Sequence, residues 1–176
     1  RPSHLRPPVE PQGDHDYLTE IQPQGEAFVA SLAERLLASE KGGAAFFLDY
    51  GFPEAEFFHP ERHMGTLMCH RAHKADVNPL EAVGLKDITA HVNFTGIALA
   101  GQNAGLQVLG YTSQARFLLN LGLAERMAES GLAERAQAMK LINEHEMGEL
   151  FKVVGFATQE HWQAQGFAVG DRSHRL

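Results

Sequence analysis

Asp49, Glu56, His59, Glu61, Arg62 and His63 crowd into residues 49 to 63, directly after the apolar run Ala44-Ala45-Phe46-Phe47-Leu48. A carboxylate fixed at such a point can pair with a guanidinium fork and set its orientation, while imidazole and guanidinium groups close over a ligand. An apolar run that stops at Asp49-Tyr50-Gly51 reads as a buried strand delivering polar groups to its carboxyl end. In open α/β sheets that end is where ligands bind. The competing reading is an ordinary strand followed by a solvated turn, and spacing alone does not separate the two.

The elements that must position these groups follow from periodicity. From Gln24 to Lys41 the residues Phe28, Val29, Leu32, Leu36 and Leu37 recur at helical spacing, and Gly42-Gly43 ends the helix. Ala44 to Tyr50 is then a strand covered on both faces. Residues 51 to 93 show no sustained period and form a lid that holds short elements. Thr95 to Asn103 reads as a helix capped by Asn93 or Thr95, and Leu106 to Thr112 as a second strand. Helices follow from Ser113 to Leu121 and from Ala124 to Ile142, with a break near Gly131. Asn143 and Glu146 resemble a capping box for a short helix to Leu150, and Phe151 to Ala157 is a third strand. Residues 1–23, with four prolines before residue 12, are extended or poorly ordered, and 159–176 form a polar tail. This alternation is α/β with a largely parallel sheet. Three strands make a narrow sheet, and its open edge calls for a further segment or a partner, a homodimer among the options.

Composition bounds the function. The chain has 176 residues, 44% of them hydrophobic, enough for one domain with a core. Its net charge of -7 argues against non-specific nucleic-acid binding and favours a basic partner. The single Cys69 rules out an intrachain disulfide, fits a reducing compartment and is read as a buried, inert thiol. No apolar run approaches the ~20 residues of a membrane span and no leader stands at the amino terminus, so a soluble, non-secreted protein is expected. Among ten histidines only His59, His63, His70 and His73 cluster. The gap between His70 and His73 could suit a metal, yet the surroundings are loop-like and HExxH is absent, so no metal is assigned.

Five separated words carry a resemblance: Leu48-Asp49-Tyr50-Gly51-Phe52; Phe57-Phe58-His59-Pro60-Glu61-Arg62; Gly65-Thr66-Leu67-Met68-Cys69; Asp87-Ile88-Thr89-Ala90-His91-Val92; and Gly110-Tyr111-Thr112-Ser113-Gln114. Met147 to Val153 adds a sixth. In this order they resemble the carboxyl half of the MidA family of class I S-adenosylmethionine-dependent methyltransferases. Mitochondrial members of that family resemble protein arginine methyltransferases acting in assembly of respiratory complex I. The resemblance implies a Rossmann-like sheet of seven strands, of which this chain supplies the last three with their helices, the final strand being antiparallel. It also implies S-adenosylmethionine as cofactor, held by a glycine-rich turn expected upstream of residue 1, since no G-x-G-x-x-G stands in this sequence. Asn93 stands where the family usually carries Asp, so its task is capping.

On that resemblance the acceptor is a basic, arginine-containing protein, and Asp49 and Glu56 are the catalytic candidates, orienting its guanidinium. Asp49 is preferred because a strand fixes its position, whereas Glu56 stands on a loop where a solvated surface carboxylate is the plainer reading. Tyr50, Gly51, His59, Arg62, His91 and Tyr111 are the substrate-binding candidates. Each has a plainer reading: core packing for the tyrosines, a local salt bridge for Arg62, capping for the Asp87–His91 turn. The bacterial cytoplasm and the mitochondrial matrix both fit. The rivals are a non-catalytic assembly module that grips a basic partner and, last, a metal-dependent hydrolase using the histidine cluster.

Overall fold

The computed structural model describes residues 13–158 and 162–176. In chain order the elements are α1 (Pro23–Leu37), β1 (Ala44–Phe52), α2 (Glu54–Phe57), β2 (Met68–Arg71), β3 (Lys74–Asp76), β4 (Asp87–Thr89) and β5 (Val92–Asn93). They continue with α3 (Phe94–Asn103), β6 (Gln107–Ser113), α4 (Gln114–Asn120), α5 (Leu123–Glu129), α6 (Leu132–Ile142) and β7 (Phe151–Ala157). Residues 1–12 of the expected extended segment lie outside the described residues.

Side-chain caps set the boundaries nearest the site. Asn93 Oδ1 accepts from the backbone N–H groups of Thr95 and Gly96, at 3.1 and 3.3 Å, and so starts α3. Ser113 does the same for α4 through Arg116 N. The main sheet has the order β5-β1-β7-β6. Read from alternation alone the sheet should be largely parallel. Instead β7 lies antiparallel between β1 and β6, with Leu48 opposite Val153 and Tyr111 opposite Val154. The antiparallel last strand implied by the resemblance is what is found, and β1 and β6 consequently point the same way. Their carboxyl ends and the amino end of β7 converge on one side of the molecule.

The core forms where α1 and α3 cover one face of this sheet: Val29 and Ala33 meet Phe94, Ile97, Leu106, Tyr111, Val154 and Phe156. The other face is covered less completely, so the expectation that β1 is buried on both faces is corrected. Phe46 and Leu48 are exposed. An unalternating apolar run marks burial potential, and only the packing partners decide whether it is realised. Beyond Gly51 and Phe52, which pair with β5, the outer edge of β1 has no strand partner among the described residues.

The lid holds a separate antiparallel sheet of order β3-β2-β4. Its β2–β3 hairpin turns at Ala72 and His73, both left-handed (φ 49° and 62°), with Arg71 opposite Lys74. Neither residue is a usual choice for that turn, so the hairpin carries no sequence signal. Residues 13–22 are tied to the lid rather than loose: Leu18 N donates to His63 O at 2.8 Å. The tail is tied down as well. Phe167 packs with Phe46 and Phe117, and its ring lies where a Cβ on Gly110 or Gly155 would stand. A segment with so few apolar residues shows no period, yet one phenylalanine anchors it. Among the described residues no helix is long and apolar enough to cross a membrane.

Candidate functional site

Two cavities open beside the converging strand ends, and Leu150 lines both. The first, of about 390 Å³, lies between Phe52 and Pro53 at the end of β1, Tyr111 on β6, Lys152 at the start of β7, and Arg172 and Arg175 of the C-terminal segment. Glu56 enters it from α2, whose first turn is fixed by Glu54 N donating to Thr95 Oγ1 at 2.8 Å. Glu144, His145, Glu146 and Glu149 enter it from the segment before β7. That segment departs from the expected short helix. Asn143 Oδ1 does accept from His145 N, but the turn is a wide one in which Gly148 N reaches back to Asn143 O, and Glu146 leaves helical geometry. A Cβ on Gly148 would stand 2.3 Å from Ile142 O, so the tight return needs glycine.

Charge pairing organises this cavity. Arg172 holds Glu149 in a fork, with Nη1–Oε1 at 2.6 Å and Nη2–Oε2 at 3.3 Å, and Lys152 Nζ stands 3.4 Å from Glu149 Oε1. Lys152 is buried, and burial depresses its ammonium pKa, with the Glu149 charge acting against that. For Glu149, burial pushes the carboxyl up, but the hydrogen bond from Arg172 and the nearby cations outweigh it and hold it below the usual carboxylate range. Arg175 pairs with Glu56. The Tyr111 hydroxyl is fully buried with no hydrogen-bond partner among the described residues, and burial pushes its pKa up.

The second cavity, of about 730 Å³, lies under the lid and is lined by Tyr50, Arg62, Thr66, His70, Thr89 and His91 among others. Arg62 is locked: its Nε donates to Glu56 O at 2.8 Å and its guanidinium lies 3.8 Å over the Phe52 ring. The His91 backbone accepts from Gln22 Nε2 at 2.7 Å and donates to Thr66 Oγ1 at 2.9 Å. Its ring stacks with Tyr50, its Nδ1 is buried without a partner among the described residues, and burial together with the Arg62 charge lowers its pKa.

The candidates are therefore distributed unevenly. Glu56 and Tyr111 share the first cavity; Tyr50, Arg62 and His91 share the second. Asp49 is exposed at a position paired with Lys152, its Oδ1 accepts from Tyr50 N, and it lines neither cavity. Gly51 serves close approach, since a Cβ there would stand 2.2 Å from Val92 O. His59 is exposed, and its Nδ1 accepts from Glu61 N to start a short turn. Among the described residues no three of His, Cys, Asp and Glu could share a metal ion. Sequence reasoning gave no role to Glu149, Lys152, Arg172 or Arg175. Lys152 was the available signal, because a lysine inside the apolar run Phe151 to Ala157 must find a carboxylate.

Neither turn at the converging strand ends is the glycine-rich cradle that S-adenosylmethionine would need: β1 leads into α2 through Pro53, and the turn into α4 is capped by Ser113 itself.

A family model described as "Putative S-adenosyl-L-methionine-dependent methyltransferase" matches residues 1–112. A Burkholderia thailandensis protein of the COG1565 superfamily, described as a "likely methyl transferase" and crystallised with S-adenosyl-homocysteine, is 48% identical with a TM-score of 0.84. The alignment covers 93% of this chain and 43% of that one. A native crystal structure of an uncharacterised COG1565 superfamily protein from Burkholderia thailandensis is also 48% identical, with a TM-score of 0.87 and coverage of 93% and 44%. The chain thus spans less than half the length of these structures. No curated protein matches it. With more than half of its residues matched by the model, the chain belongs to this S-adenosyl-L-methionine-dependent methyltransferase family.

Proposed function

We propose that the whole protein transfers a methyl group to an arginine side chain of a protein substrate, within the MidA branch of its family, and that mitochondrial forms serve assembly of respiratory complex I. The observation that carries the acceptor assignment is Glu56, a carboxylate on α2 just past β1 that already grips a guanidinium, that of Arg175, at the mouth of a polar cavity. A carboxylate so placed neutralises the acceptor's charge and fixes the plane of its fork. Glu56 is better placed for this than Asp49, which lines neither cavity. The net charge of -7 supports a basic substrate. No described residue is assigned to the cofactor, whose structural neighbour holds S-adenosyl-homocysteine.

The test is whole protein, isotope-labelled S-adenosylmethionine and an arginine-containing protein substrate, with the methylated residue located by mass spectrometry. Label on arginine that is lost in Glu56→Gln supports the reading. Label on another residue type ends the arginine assignment, and tight binding of basic protein without transfer marks a non-catalytic module.

A further inference from the structure

The two arginines of the C-terminal segment are held differently. Arg172 is built into the fold: beyond its fork on Glu149, its backbone N–H donates to Tyr111 O, and neighbouring Asp171 accepts from Tyr111 N at 2.8 Å. Among the described residues Arg175 has only Glu56 for its guanidinium, and 46% of its side chain is exposed. Exposed ion pairs contribute little and weaken with salt, so this one exchanges readily for another guanidinium.

The same cavity holds an unmet demand. Tyr111 lines it, and its hydroxyl is buried with no partner among the described residues, although Glu56 and Arg175 are among the charges that act on it. A buried hydroxyl left unpaired is costly, and Arg175 does not satisfy it. A carboxylate at the mouth and a free hydroxyl within together suit a planar group with several N–H donors. A guanidinium has five in a fixed fork, whereas an ammonium is a point charge.

We propose that Arg175 is a resident competitor in the acceptor site: it occupies Glu56 until an incoming arginine side chain displaces it, taking Glu56 with one edge of its fork and the Tyr111 hydroxyl with another N–H. Tyr111 is thereby a positioning residue that favours arginine over lysine. The inference rests on the acceptor reading of Glu56 given above.

The experiment uses the whole protein and fluorescein-labelled Gly-Arg-Gly and Gly-Lys-Gly peptides, with binding read by fluorescence anisotropy and folding checked by thermal melting. Arg175→Gln should tighten binding of the arginine peptide at least threefold. Arg175→Lys, which keeps the charge but loses the fork, should give a smaller gain. Tyr111→Phe should weaken the arginine peptide severalfold and leave the lysine peptide unchanged. The proposal is overturned if Arg175→Gln binds no more tightly than the native protein, if Arg175→Lys shows no gain, so that charge alone explains the effect, or if neither peptide binds. The two readings fail separately. Arginine methylation with no gain from Arg175→Gln ends the competitor and leaves the acceptor site. A gain in a protein that methylates no arginine keeps the competitor and ends the proposed reaction.

Discussion

The Glu20 carboxylate clasps Thr66 across 46 residues of sequence, accepting its backbone N–H at 2.8 Å and its hydroxyl at 3.1 Å. It also accepts Leu67 N at 2.8 Å, and Thr66 Oγ1 in turn accepts from His91 N at 2.9 Å. One carboxylate therefore joins the segment before α1, the base of the lid and the second cavity. Hydrogen bonds to a charged group are worth more than neutral ones, so Glu20→Ala should cost about 2 kcal/mol by denaturant titration. Amide hydrogen exchange should rise first at Thr66 to Met68, and unchanged protection there would show that the clasp does not hold the lid.

The absence of a glycine-rich turn among the described residues predicts the outcome of a cofactor titration. Calorimetry of this 176-residue chain with S-adenosylmethionine should give no saturable heat, while circular dichroism shows the chain folded. One-to-one binding would place the cradle within these residues and overturn the expectation drawn from the turns at Pro53 and Ser113.

The two carboxylate candidates separate by mutation. Glu56→Gln should lower kcat/KM for methyl transfer by about tenfold or more, the loss expected for one charge-assisted contact. Asp49→Asn should change it about twofold at most, because its carboxylate lines neither cavity. The reverse order would move the acceptor site to the Asp49 position.

Phe167 should matter to stability out of proportion to its place in a polar segment. It is buried against Gly110, Gly155 and Phe117, so Phe167→Ala should cost about 3 kcal/mol. A loss below about 1 kcal/mol in a chemical melt would show that the segment docks only loosely.

Acid should destabilise the protein in two windows. His91 has a folded pKa below its ordinary value of 6.5, so the unfolded chain takes up a proton first and stability falls as pH drops below about that value. Glu149 has a lowered folded pKa, so its contribution is present above the ordinary carboxylate value of 4.5 and is lost as pH falls through the folded value. Thermal melts of His91→Gln should lack the upper window and keep the lower one. An unchanged upper window would assign it to another group.

The sequence by itself determined the local elements. The run Phe151 to Ala157 is a strand because every residue but Lys152 is apolar or small, and Asn93 and Ser113 start helices because their side chains can bond backbone N–H groups within three residues. It also placed Glu56 in the segment after β1, although the short helix α2 that carries it shows no period in the sequence. Tertiary structure decided what these elements meet. Strand direction is not encoded in an apolar run, so the insertion of β7 between β1 and β6 came from packing. The lid hairpin was invisible because Ala72 and His73 adopt left-handed geometry that their types do not announce. The arginines that grip Glu149 and Glu56 stand 23 and 119 residues away from them, a separation no periodicity records. Asp49 ends exposed and Lys152 buried although they are paired on one face of the sheet, because among the described residues β1 is an edge strand at Asp49 while β7 lies between β1 and β6, and a single strand does not state its place in the sheet.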